Sequence, residues 1–227
     1  MTLFGFWGLN GFWTDAGLLD LNERLEMTVF QTATTDTAWA VGHLLPTARG
    51  AGIRVTLRLT GGHVRYTDGD GDFDMAAWMA VLDTWKGSGV QEFIDDGTLV
   101  GHMLLDDIHN FPGRDPSGAE LDQLARYSKR HLPRLMTYVR EEARNMPEPP
   151  SGRYRFVDAS VNQYRIADGD IHDFAEKEAA RAAELDLGVI NGLNIANGGD
   201  GSSGQPGWAE GRWAMGGEEI LRYGQVL

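Results

Sequence analysis

The sequence predicts an α/β protein, a (β/α)8 barrel of the TIM type in which seven strands are read and the eighth is missing or lies beyond the C-terminus. Three observations predict it. Strand-like apolar runs alternate with helix-like segments along the whole chain, the order that builds a parallel sheet. Seven such units favour a closed barrel over a doubly wound sheet. No G-x-G-x-x-G follows a strand and opens a helix, so a dinucleotide-binding sheet is the weaker alternative.

The first strand is LFGFWGL (3–9), followed by a leucine-rich stretch, and MTVFQTA (27–33) is the second. A helix runs from Asp36 towards Arg49, interrupted by Pro46, which lacks an N–H, and closed by Gly50 and Gly52. IRVTLRLT (53–60) is the third strand. The acidic loop TDGDGDFD (67–74) then leads into a helix on which Met75, Met79, Leu82 and Trp85 fall at helical spacing. LVGHMLLDD (99–107) is the fourth strand, and Ser117 with Glu120 forms a capping-box pattern that opens a helix to about His131. RLMTYV (134–139) is the fifth strand, and Pro147, Pro149, Pro150 and Gly152 mark the loop after it. FVDASVNQY (156–164) is the sixth, the alanine-rich stretch from Asp170 to Leu185 a helix, LGVINGLNI (187–195) the seventh strand, and GEEILRYG (217–224) a last short helix. Val226 and Leu227 stand where an eighth strand would start. GGDGSSGQPGW (198–208) reads as a flexible loop, and no internal repeat is evident.

With 227 residues, 42% of them hydrophobic, the chain can bury one large core, and a single domain over 1–227 is expected. Twenty Lys and Arg against 33 Asp and Glu give a net charge of −13, which repels phosphate backbones and anionic lipid. Nucleic acid and membrane are therefore not expected as partners; a neutral partner fits. The absence of cysteine removes disulfides and thiolate metal sites, and leaves secreted and cytoplasmic addresses both open. The segment MTLFGFWGLNGFW has neither a basic leader nor an apolar span of about 20 residues, so it reads as a first strand, not as a signal peptide or membrane helix.

In a barrel the outward face of each strand meets helices and should be apolar, so the two-residue period sorts side chains. Val55, Leu57 and Leu59 are placed outward and Thr56, Arg58 and Thr60 inward. In the fourth strand Leu99, Gly101, Met103 and Leu105 are placed outward, leaving His102 and Asp106 inward and Asp107 on the rim. In the sixth, Val157, Ala159 and Val161 are placed outward, and Asp158, Ser160, Asn162 and Tyr164 inward. A buried Arg58–Asp158 pair is one structural outcome of that sorting.

Barrel chemistry lies at the C-terminal ends of the strands. Those ends offer carboxylates, amides and aromatic rings, which suit the hydroxyls and flat apolar faces of a carbohydrate. The expected substrate-binding residues are Trp7, Asn10, Trp13, Arg58, His109, Arg140, Asn162, Tyr164, Asn191 and Asn194. Glycosidic cleavage needs a carboxylic acid to protonate the leaving oxygen and usually a second carboxylate as base or nucleophile. Asp106, Asp107 and Glu141 are the available set, with Asp106 read as the deeper acid and Asp107 or Glu141 as the base. The acidic loop spaces aspartates like a calcium loop but has Phe73 at the sixth position and Met79 at the twelfth, so it reads as a solvated loop before a helix.

RLTGG (58–62) followed by GHMLLDD (101–107), with NQYR (162–165) further on, resembles the (β/α)8 glycoside hydrolases, and loosely the chitinase-like group in its order of elements. The resemblance implies a glycosidase acting on a poly- or oligosaccharide. It differs from that group in having two adjacent aspartates in place of several spaced ones before a glutamate. No cofactor and no metal are expected. Two alternatives are a metal-dependent hydrolase, using His102, Asp106, Asp107 and His109 with His63, and a barrel that binds sugar without cleaving it.

Overall fold

The computed structural model describes residues 5–7, 17, 20 and 27–227. Seven parallel strands lie side by side in chain order: β1 (Gly5–Trp7), β2 (Val29–Ala33), β3 (Arg54–Arg58), β4 (Leu99–Asp106), β5 (Met136–Arg140), β6 (Ala159–Tyr164) and β7 (Gly188–Leu193). Parallel neighbours need crossovers, and helices supply most of them: α1 (37–50), α2 (Met75–Asp83), α3 (Val90–Asp95), α4 (Gly118–His131) and α5 (Ile171–Glu184), with α6 (Gly217–Gly224) last. The sheet curls as part of a barrel. Among the described residues no ladder joins β7 to β1, so the barrel is incomplete. No helix of the described residues is long and apolar enough to cross a membrane.

Local chemistry sets the helix ends. Asp74 and Asp170 accept backbone N–H bonds at the starts of α2 and α5, and Ser117 and Glu120 form the expected reciprocal box at α4. Pro46 does not end α1. The turn before it widens into a π-helical segment at Ala40–Leu44, with the Leu45 N–H reaching back to the Ala40 carbonyl, so the ladder shifts ahead of the proline. Leu121, Leu124, Ala125 and Ser128 form the buried stripe of α4 at helical spacing.

The main core lies between the sheet and the helices and contains Val55, Leu57 and Leu59 from the β3 region, as expected. Trp78 and Trp85 are the largest side chains buried there, and each indole N–H donates to a main-chain carbonyl, of Leu104 and Leu59 respectively, at 3.0 Å. A second, smaller cluster of Met103, Tyr138, Ala159 and Val161 lies on the sheet's inner face, flanked by Met136 and Ile190.

That inner cluster corrects the facing expected for β4 and β6. In β4 the β5-facing register advances from Met103 opposite Tyr138 to Leu105 opposite Val139, so Leu104 is an extra residue, a bulge. Met103 is inward before the bulge, while Leu104 and Leu105 both join the helix-side core after it. Gly101 is inward too, since a Cβ there would meet Thr56 and Tyr138 at 3.0 Å. His102 is fully buried on the helix side, stacked on Trp78, with Nδ1 2.8 Å from Ser128 Oγ. Unbroken alternation from an inward Met103 would have aimed Asp106 at the helices; the bulge turns it inward. In β6 the facing is the reverse of the expected one. Ala159 and Val161 fill the inner face, whereas Tyr164 packs on Phe174 of α5. Asp158 precedes β6 and binds Lys129 of α4 and the Thr137 N–H, so it is not the partner of Arg58.

Candidate active site

Two adjacent residues of a strand normally point to opposite faces, yet Asp106 and Asp107 meet one guanidinium. The backbone explains it. Asp107 adopts a left-handed conformation (φ 51°) as the chain leaves β4, a geometry aspartate tolerates at a cost of about 1 kcal/mol. Arg140, opposite Asp106 at the end of β5, donates through Nε to Asp106 and through Nη2 to Asp107 at 2.6 Å. Its Nη1 donates to Gln163 Oε1 at 2.8 Å, bringing in the inward residue near the end of β6. Arg58, at the end of β3, donates to the second oxygen of Asp106 at 2.5 Å. Asp106 is thus bound between two guanidinium groups, with both oxygens occupied.

Glu141 follows Arg140 directly. Its Oε1 accepts from the side-chain amide of Asn145 at 3.2 Å and from the Glu142 N–H at 3.1 Å. Burial raises its pKa above the ordinary glutamate value, the Asn145 bond and the nearby His109 pull it back, and the charge of Asp107 adds to the rise. Asp107 has a half-exposed side chain. His109 bridges Asp115 and the Asn145 carbonyl, and the hydrogen bond to Asp115 leads the effects that raise its pKa. His63, after β3, sits edge-on to Phe111 and Tyr66; burial lowers its pKa, and Asp106, Arg58 and Asp107 are the charges that act on it.

Of the residues expected at the site, Arg58, Asp106, Asp107 and Arg140 form one ion-paired group, and Glu141 and His109 lie beside it. Others do not join them. Asn162 is buried, with Oδ1 accepting from the Ala143 N–H and Nδ2 reaching Asn191, and Tyr164 is buried with its hydroxyl on the Gly169 carbonyl. Both brace loops rather than line the mouth. Asn194 caps the turn after β7 by accepting from the Asn197 N–H. The side chain of Trp7, and Asn10 and Trp13 entirely, lie outside the described residues.

Two groups are added by the structure. Gln163 enters because the β6 facing is reversed. Behind Glu141, the nearly buried Glu142 accepts from Arg144, Asn145 and Arg165, while Asp168 binds the same two arginines and Glu178 faces Arg144, which fixes the turn after β5. The run EEARN (141–145) supplies Glu142, Arg144 and Asn145 to that network. Because His102 faces the helices, the histidine–aspartate cluster read from the sequence is split. Among the described residues no group of three or more His, Asp or Glu is arranged to hold a metal ion. A surface hollow of about 490 Å3 lies at the opposite rim, lined by Lys129, Pro133, Met136 and Asp158, away from the strand ends where barrel chemistry resides.

The sequence matches no family model and no curated protein. Solved structures do match. A cellulase in complex with an inhibitor superposes with a TM-score of 0.55 at 11% identity, over 88% of this chain and 78% of the cellulase. An endocellulase from Pyrococcus horikoshii in complex with cellotetraose superposes with a TM-score of 0.56 at 12% identity, over the same shares, 88% and 78%. The fold is like that of these (β/α)8-barrel glycoside hydrolases, with the barrel incomplete among the described residues.

Proposed function

We propose that this chain hydrolyses glycosidic bonds of a poly- or oligosaccharide by carboxylate acid–base chemistry at the strand ends, with Glu141 as proton donor and Asp107 as the partner carboxylate. The observation that carries this reading is the contrast between the two groups. Burial favours the protonated form of Glu141, whereas Asp107 is half exposed and bound to the Arg140 guanidinium. Glu141 would protonate the leaving oxygen, and the Asp107 anion would stabilise the positive sugar or activate water. The sequence suggested Asp106 as the acid. With both its oxygens taken by arginines, Asp106 instead orients Arg140, and through it Asp107.

The test is a panel of soluble glycans, beginning with cello-oligosaccharides because the structural neighbours include a cellulase and an endocellulase bound to cellotetraose. Cleavage that persists in the presence of a chelator supports the proposal. Chelator-sensitive cleavage favours metal-dependent hydrolysis, and binding without turnover favours a non-catalytic sugar-binding barrel; either overturns it.

A further inference from the structure

The partners of His109 favour the doubly protonated ring. Nδ1 lies 2.9 Å from Asp115 Oδ2 and Nε2 lies 3.2 Å from the Asn145 backbone oxygen. A carboxylate and a carbonyl can only accept, so both contacts are satisfied when each ring nitrogen donates, and an imidazole with two N–H groups is a cation. The same Asn145 donates its side-chain amide to Glu141 Oε1 at 3.2 Å and to Glu142 Oε2 at 3.1 Å. A continuous chain therefore runs from Asp115 and His109, after β4, to Asn145 and Glu141, after β5. The charged groups acting on His109 are Asp115 and Glu141; those acting on Glu141 are His109 and Asp107.

We propose that His109 is a positioning residue for Glu141: its imidazolium clamps the Asn145 turn to Asp115 and keeps a positive charge beside the Glu141 carboxyl. The proposal rests on the reading of Glu141 as proton donor, and it gives a half-exposed histidine, expected from the sequence to touch substrate, a different task. An acid buried without compensation would hold its proton too tightly to release it at the working pH. The cation and the Asn145 amide offset that burial, so the acid stays both placed and usable.

The test follows the 13C-carboxyl resonance of Glu141 against pH, without any substrate, in the wild type, His109→Gln and His109→Arg. Removing the cation in His109→Gln should move the Glu141 midpoint upward by about half a pH unit or more. His109→Arg, which keeps a charge and several donors, should move it less. In the wild type at pH 6 the 15N shifts of the His109 ring should show both nitrogens protonated, a measurement that does not depend on any variant folding. An unmoved midpoint in His109→Gln, an arginine variant indistinguishable from the glutamine one, or a ring with one bare nitrogen at pH 6 each overturns the proposal. Glu141→Gln with undiminished glycan cleavage would instead sink the proton-donor reading and leave the titration result standing.

Discussion

Replacing Asp106 with asparagine tests the ion-paired group at the strand ends. The substitution keeps the shape and removes the charge that two guanidinium groups share. The side chains of Asp106, Arg58 and Arg140 are 23%, 18% and 20% exposed, so water reaches them only partly. Breaking a fully buried pair costs about 3–5 kcal/mol, and a hydrogen bond to a charged group contributes about 1.5–3 kcal/mol. Partial exposure reduces the first figure, an asparagine oxygen can still accept from one arginine, and Arg140 keeps Asp107 and Gln163. The expected loss is therefore about 2–3 kcal/mol. Urea unfolding of the wild type and Asp106→Asn would measure it. A double-mutant cycle with Arg58→Met should return a coupling of about 1–2 kcal/mol, as for residues in one network. A loss within about 0.5 kcal/mol, the range of an unremarkable surface change, would refute the claim that Asp106 holds the two arginines.

Two further expectations concern the packing that aims the site. Trp78→Phe leaves the Leu104 carbonyl without its indole partner at the β4 bulge and should cost about 1–3 kcal/mol, read by thermal or urea unfolding, together with reduced turnover because the bulge sets the facing of Asp106; unchanged stability would mean the indole does not brace the bulge. His102 is fully buried, and burial pushes its pKa down to about 3 from 6.5, so the unfolded chain binds the extra proton first as pH falls. Stability contributed by neutral His102 is present above pH 6.5 and is lost as pH falls from there towards about 3. Relative to His102→Gln, the wild type should lose about 1.4 kcal/mol per pH unit across that window; a pH-independent difference would contradict the burial of a neutral ring.

The order of the strands and of most helices was legible because each depends on local pattern, while the short helix Val90–Asp95 was not read. The seven apolar runs, the Ser117–Glu120 box and the helix at 171–184 needed only spacing and capping chemistry. The facing of β4 and β6 was not legible, for a physical reason. The inner face of a barrel is also packed, so Met103, Ala159 and Val161 give the inside the same apolar signature that marks the outside. Alternation also presumes an unbroken register, and the extra residue at Leu104 has no sequence mark of its own. The place of Asp106, Asp107 and Glu141 at strand ends was legible because such a position survives an error of facing. The expected places of Asn162 and Tyr164 depended on that facing, and Tyr164 packs against Phe174 on the helix side. The proposed choice of Glu141 over Asp106 as the acid required knowing which carboxylate the arginines occupy, and that follows from strand order in space: β3 and β5 flank β4 and deliver Arg58 and Arg140 to it.

Comparison of two leaving groups tests whether Glu141 gives a proton to a departing sugar oxygen. Wild type and Glu141→Gln are assayed on a cello-oligosaccharide, whose leaving alcohol needs protonation, and on the matching aryl glycoside with an acidic phenol, which can depart without it. Glu141→Gln is expected to lose roughly two to four orders of magnitude in turnover on the oligosaccharide and far less on the aryl glycoside. Equal activity of the two proteins on the oligosaccharide, or an equal loss on both substrates, would contradict it.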